Sequence, residues 1–264
     1  PVKSKYLTPF LTLGRFTAEL LAAESFEARF ALLEKLADKL NFEGVTYTFF
    51  PLFGLGVFEK VPPVVMQTDA VSSDFIDHYT NGGLCEADFT VRNICDGNYA
   101  PLSWRESEQQ ALVSAEETHV IQIAREDYGI ANALTIPTMP EVTRSMGIAG
   151  VTVFSSANDR QFALLKDNFD TISACSQIFH LVSHAYLDLH RRFIWPLFAD
   201  ITPKEQMMLE GLMKGQVVKQ IADDASVTLK SAYRIIDGIR AKLGGISLVQ
   251  LIHIATVAKL VQKG

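Results

Sequence analysis

The sequence predicts an α+β body followed by an all-α tail. Three observations carry this. Helical and strand-like hydrophobic periods share the first 195 residues, only short capped helical periods follow Thr202, and the charge changes sign between the two stretches. The 264 residues include 24 Lys+Arg and 30 Asp+Glu, a net charge of −6, with 48% hydrophobic and 20% charged residues. This composition is globular and excludes a disordered, collagenous or low-complexity chain. From Asp200 onward nine Lys/Arg face six Asp/Glu, so the tail is +3 and the preceding 199 residues are −9. An acidic body with a basic tail confines any nucleic-acid contact to the tail.

Taken in order, Ser25 to Leu40 reads as a helix, because Phe26, Phe30, Leu33, Ala37 and Leu40 share one face and Asn41-Phe-Glu-Gly44 stops it. Val45-Thr-Tyr-Thr-Phe-Phe50 is aromatic and β-branched, a strand whose Tyr47, Phe49 and Phe50 are expected in the core. Residues 51–64, rich in Gly, Pro and Phe, read as a loop. Leu134–Thr138 and Ile148–Phe154 read as two further strands, with the polar Pro140–Ser145 joining them as a hairpin. From Asn158 a single stripe, Phe162 through Phe179 to Phe193, predicts one helix of roughly 35 residues, about 50 Å long. That length suits a helix reaching a second subunit as well as it suits a long core helix of a monomer. Trp195-Pro196 breaks it. The expected division is therefore 1–195, a linker at 196–201, and 202–264.

No apolar run reaches about 18 residues without a charge, which argues against a membrane span. The stretch from Pro1 lacks the basic region, apolar core and cleavage site of a secretory leader. Cys85, Cys95 and Cys175 have no metal spacing and read as reduced thiols. A cytoplasmic protein without metal or cofactor is expected.

The tail carries the sharpest pattern. Thr202-Pro-Lys-Glu205 is a capping box with Pro at the first helical position. The helix it opens ends near Gly215. Val217–Asp224 is a short second helix, Ala225–Thr228 a tight turn, and Thr228 caps a third helix whose core face is Ala232, Ile235, Ile236, Ile239 and Leu243. Ser247-x-x-Gln250 caps a fourth. Two short helices joined by a four-residue turn, the second with basic residues outward, make a helix-turn-helix.

These residues resemble the LuxR-type transcription factors. Ile201-Thr-Pro-Lys-Glu205, Leu209, Gly215, Gln220-Ile-Ala222 and Lys242-Leu-Gly244 follow that family's C-terminal pattern over about 60 residues. The resemblance implies a duplex-DNA partner. The third helix, opened by Thr228, would then lie in the major groove with Lys230, Ser231 and Arg234 facing DNA, while Lys219, Arg240 and Lys242 hold phosphates. Ala232, Tyr233 and Ile235 replace the family's usual residues in this helix, and Asp237 is expected to repel phosphate.

Upstream, Phe75-x3-Tyr79-x8-Asp88 followed by Pro101-x2-Trp104 resembles the acyl-homoserine-lactone-binding domain of quorum-sensing LuxR proteins, as do Tyr128-Gly129 and Leu134-Thr-Ile-Pro137. The resemblance spans residues 25–195. It implies an α/β/α sandwich with an antiparallel sheet of about five strands and a ligand between the sheet and one helical layer. The implied ligand contacts are Phe75, Tyr79, Asp88, Trp104, Thr135 and Thr152. The chemistry is sound in itself: a buried amide costs about 1–3 kcal/mol when left unpaired, Asp88 can accept its N–H, and aromatic rings enclose the rest.

The pattern also departs from the family. Phe75 replaces a Trp and Val71 a Tyr, both hydrogen-bond donors to the ligand there; Phe89 replaces Pro and Ala133 replaces Gly. With two head-group donors gone, an acyl-homoserine lactone relies on water or on Thr135, Thr152 or Ser73. The expected inducer is therefore an acyl-homoserine lactone or analogue, a different molecule with an N–H facing Asp88, or none. A homodimer is expected, with RNA polymerase as a candidate partner. A phosphoacceptor receiver is excluded by the order of the elements. An enzyme is disfavoured by the lack of a nucleophile elbow, phosphate loop or metal spacing; His180 and His184 read as surface or dimer-seam residues. The remaining alternative is a ligand-independent or heterodimerising regulator acting through protein contacts, favoured by Tyr233, Ile235 and Asp237.

Overall fold

Five strands form the centre of the first unit. In a computed structural model, which describes residues 3–51, 63–138 and 147–260, they are β1 (Gly44–Pro51), β2 (Val64–Gln67), β3 (Leu102–Ser103), β4 (Asn132–Pro137) and β5 (Gly147–Ser155), in the spatial order β2-β1-β5-β4-β3. The β1–β2, β3–β4 and β4–β5 pairings are antiparallel. Thr135 stands opposite Thr152 in the β4–β5 register. The expected hairpin residues Pro140–Ser145 and most of the 51–64 loop lie outside the described residues. At the β1–β5 seam, a Cβ on Gly147 would sit 2.1 Å from the Phe50 carbonyl oxygen, so only glycine lets the strands approach there.

One face of the sheet is covered by α1 (Lys3–Ala22), α2 (Phe26–Lys39) and α8 (Lys166–Ala185), the last preceded by the short α7 (Asp159–Ala163). Ser25 caps α2 by accepting the Ala28 N–H, and its Phe26, Phe30, Leu33 and Ala37 are buried as their spacing requires. Tyr47 and Phe49 of β1 point the same way, and Tyr47 meets Phe26 and Phe179 edge-on at centroid distances of 5.8 and 5.5 Å, with Phe26 and Phe179 tilted against each other at 5.6 Å. The other face carries α3 (Ser73–Thr80), α4 (Phe89–Cys95), α5 (Trp104–Gln109) and α6 (Ala115–Tyr128), packed around Phe75, Phe89, Trp104, Ile121 and Phe154.

The single helix expected after Asn158 is interrupted. Leu187 adopts a left-handed φ of 60°, which ends α8, and the chain continues through a π-turn at His190–Ile194 and a 3-10 turn at Trp195–Phe198. The break turns Asp188 inward onto Arg29, where Oδ2 accepts from the guanidinium at 2.6 Å with both side chains almost wholly buried. Arg29 also donates to the Leu20 and Ala23 carbonyls and stacks on Tyr186. His180 corrects a second expectation. It is fully buried, bonded through Nδ1 to the Tyr47 hydroxyl at 3.0 Å, and so belongs to the core and not to a surface. Desolvation pushes its pKa down to about 3, and the neighbouring His184 adds to this.

The chain divides into two units after Asp188, earlier than the Trp195-Pro196 break. Trp195 is a core residue of the second unit, where its indole N–H donates to the Ala258 carbonyl. That unit contains α9 (Pro203–Met213), α10 (Val218–Asp224), α11 (Leu229–Lys242) and α12 (Leu248–Val257). Both capping boxes are formed, Thr202 with Glu205 and Ser247 with Gln250, and Thr228 caps α11 by accepting the Ser231 N–H. Gly215 and Gly244 end α9 and α11 with positive φ.

Candidate functional site

A cavity lies between the sheet and the layer formed by α3, α4 and α6, with a volume of about 50 Å³, where one water needs about 10–15 Å³. Phe75, Tyr79, Asp88, Trp104, Thr135 and Thr152, drawn from four separate elements and the turn before α4, all stand on its wall. Val71 does not line it; that side chain is buried in the adjoining core with Phe89 and Trp104. Ser73 stands apart, accepting a bond from Gln67 at an exposed position.

Asp88 has two roles. As the N-cap of α4 its Oδ1 accepts the Thr90 N–H and hydroxyl, each at 2.7 Å, while Oδ2 accepts the Tyr79 hydroxyl at 2.7 Å. These three donors occupy most of the roughly four acceptor positions of a carboxylate. Burial raises the Asp88 pKa, and the bonds from Tyr79 and Thr90 pull against it. Tyr79 is held well above its ordinary value by its own burial and by the Asp88 charge, so the phenol stays a donor. Across the cavity, the Trp104 indole N–H points to the Thr135 hydroxyl at 3.4 Å, and Thr135 and Thr152 share a hydroxyl bond at 3.0 Å. A polar rail of indole and two hydroxyls thus runs along the sheet opposite the carboxylate.

The sequence pattern passed over several wall residues. Thr46, Thr48 and Phe50 also line the cavity. The signal was present: in a strand, 46, 48 and 50 share one face while 45, 47 and 49 take the other. Phe50, expected in the core with Tyr47 and Phe49, is accordingly on the cavity side. Glu117 also reaches the wall. Its carboxylate takes both ends of the Arg92 guanidinium, at 2.6 and 3.1 Å, and closes the capping box of α6 with Ser114. Arg92 holds the Glu117 pKa below its usual range.

In the second unit, Lys219, Thr228, Lys230, Ser231 and Arg234 are exposed on α10, the turn after it and α11. Arg240 and Lys242 are committed within the domain. Arg240 donates to the Ile246 carbonyl at 2.6 Å and to Asp237 at 2.8 Å, and Lys242 to Glu205 and the Asp200 carbonyl, each at 2.7 Å. Arg240 thereby pairs with Asp237, the carboxylate expected to repel phosphate. Ser231 is tied to the Thr228 hydroxyl at 2.9 Å.

The autoinducer binding domain family matches residues 25–183, which include every element of this cavity. The chain belongs to that family. Its autoinducer-binding domain sits in a chain whose fold is shared with SdiA: the complex of SdiA with octanoyl-rac-glycerol superposes with a TM-score of 0.60 at 13% identity, covering 97% of this chain and 96% of that one. A crystal structure of Escherichia coli SdiA gives 0.60 at 12% identity, over 96% and 98% of the two chains. No curated protein matches in sequence. Among the described residues no helix is long and apolar enough to cross a membrane, and no cluster of His, Cys, Asp or Glu could hold a metal ion.

Proposed function

We propose that the chain is a cytoplasmic LuxR-type transcriptional regulator, in which the autoinducer-binding domain takes a small amphiphilic molecule beside Asp88 and the second unit binds duplex DNA. One observation carries the reading: a partly desolvated carboxylate and the hydroxyls of Thr135 and Thr152 line one cavity together with a mainly apolar set of side chains. Such a wall suits a ligand with a donor at one end, acceptors beside it and an alkyl remainder. The Asp88 carboxylate accepts the ligand N–H or O–H. Thr135 and Thr152 serve its carbonyls in place of the donors lost at Phe75 and Val71. Lys219, Lys230, Ser231 and Arg234, on and beside a helix opened by Thr228, form the DNA-facing set, and Arg240 and Lys242 support the domain from within. The molecule acts as a homodimer that contacts RNA polymerase.

The narrow cavity favours a second reading, a regulator that works without a ligand or as a heterodimer. A long acyl chain enters about 50 Å³ only by displacing wall side chains. Titration calorimetry separates the two readings with two panels: acyl-homoserine lactones, and monoacylglycerols, because SdiA has been solved with octanoyl-rac-glycerol. Micromolar or tighter binding that Asp88→Ala weakens at least tenfold supports the sensor reading. Silence across both panels supports the second. DNA binding is tested by a gel-shift salt series, in which several phosphate contacts give a steep loss of affinity between 50 and 200 mM salt.

A further inference from the structure

We propose that Leu229 and Tyr233 of α11 read thymine methyl groups in the major groove, making the preferred operator thymine-dependent; this rests on the DNA-binding reading above. The outward side of α11 is built as two ridges one helical turn long. Leu229 and Tyr233, four residues apart, form an apolar ridge, and Lys230 and Arg234, also four apart, form a cationic ridge beside it. Leu229 is 44% exposed and Tyr233 52%, at the border of the buried stripe of Ala232, Ile236 and Ile239, which are 0–3% exposed and account for the helix's packing.

A single exposed apolar residue is ordinary on a protein surface. Here, however, two of them are stacked on adjacent turns of the helix that follows the tight turn, alongside the cations that would draw that helix to phosphate. The major groove offers a protein one apolar group, the C5 methyl of thymine. An apolar ridge held against base edges by a cationic ridge therefore favours thymine over cytosine, and over adenine or guanine, whose edges leave the ridge facing polar atoms. Arg240 adjoins the same side of the helix but is held by Asp237 and the Ile246 carbonyl, so it does not supply the bidentate guanine contact that would otherwise dominate there.

The test uses the full chain. Duplexes are selected from a random-sequence pool at low salt, with and without an organic extract of the expression host, and each thymine of the recovered site is then replaced by uracil. Uracil keeps every hydrogen-bonding edge and removes only the methyl group. The expected result is a loss of about 3- to 10-fold at one or two positions, the size of one buried methyl contact. Tyr233→Phe keeps that loss. Leu229→Ala combined with Tyr233→Ala binds thymine and uracil duplexes alike, with an unchanged urea midpoint because both side chains are exposed. Equal affinity of the unmodified chain for thymine and uracil at every position overturns this inference and leaves DNA binding standing. A pool from which nothing is enriched overturns both.

Discussion

The two faces of the sheet are made from the same strands yet built to different rules. Behind β1, Tyr47 closes against Phe26 and Phe179, Phe30 meets Phe179, and Phe49, also of β1, is fully buried. In front, Thr46 and Thr48 of the same strand join Thr135 and Thr152 around a cavity. The rear face is packed to fix the fold; the front face leaves hydroxyls, a carboxylate and space. A one-residue change of register in β1 would exchange the two sets completely. The rear face holds polar groups as well, but they are spent on each other: Arg29 on Asp188, Tyr47 on His180. Those of the front face sit at the edge of a space that something else can enter.

This contrast can be broken from the rear first. Phe179→Ala is expected to cost about 3–5 kcal/mol in urea denaturation, because a fully buried ring leaves a hole its neighbours cannot fill. Arg29→Ala is expected to cost about 3–5 kcal/mol by stranding the buried Asp188 carboxylate, whereas the paired change Arg29→Met with Asp188→Leu recovers most of it.

A pH titration separates the faces next. The folded-state pKa of His180 lies at about 3, below the ordinary 6.5. The unfolded chain therefore binds the proton first, and His180's share of the stability is fully present above pH 6.5 and declines as pH falls toward 3. Between pH 7.5 and 5.5 the loss is about 1.4 kcal/mol. Equilibrium unfolding of His180→Gln across that window is expected to show a correspondingly flatter profile.

The smallest stability effects are expected at the front. Thr152→Val should change unfolding free energy by no more than about 1 kcal/mol, the net worth of one hydroxyl bond. Asp88→Asn should do likewise, because Asn also caps a helix. Both should reduce ligand affinity in calorimetry far more than they reduce stability. A front-face change that unfolds the protein as readily as Phe179→Ala would show that the cavity wall is core after all.

Much of this molecule was legible along the chain where neighbours in sequence decide the outcome. The caps at Thr202, Thr228 and Ser247 each act over three residues, and each formed as its spacing required. The alternation in β1 was equally local, yet Tyr47, Phe49 and Phe50 were all assigned to the core and Thr46 and Thr48 were not assigned to either face. The tertiary contacts were not legible. Phe162 to Phe193 keeps an unbroken stripe, and nothing in that stripe announces that Leu187 turns left-handed. The turn is stabilised by a pair 159 residues apart, Arg29 with Asp188. Likewise, Arg240 and Lys242 look like free cations in any linear reading, and only the folded domain brings Ile246, Glu205 and the Asp200 carbonyl against them.

By itself, the sequence determined the helix at 25–40, three of the strands, the caps at Thr202, Thr228 and Ser247 and the residue types that could recognise a small molecule, because each of these depends on periodicity or on bonds closed within one helical turn. The tertiary structure decided which polar groups were consumed internally and which were left to face a cavity or solvent. Asp88 and Tyr79 meet Thr135, Thr152 and Trp104 around one space only once β4 and β5 pair and α3, α4 and α6 cover them. That outcome follows from burial: desolvation penalises every unpaired polar group in the interior, so its partners are chosen by proximity in space and not along the chain.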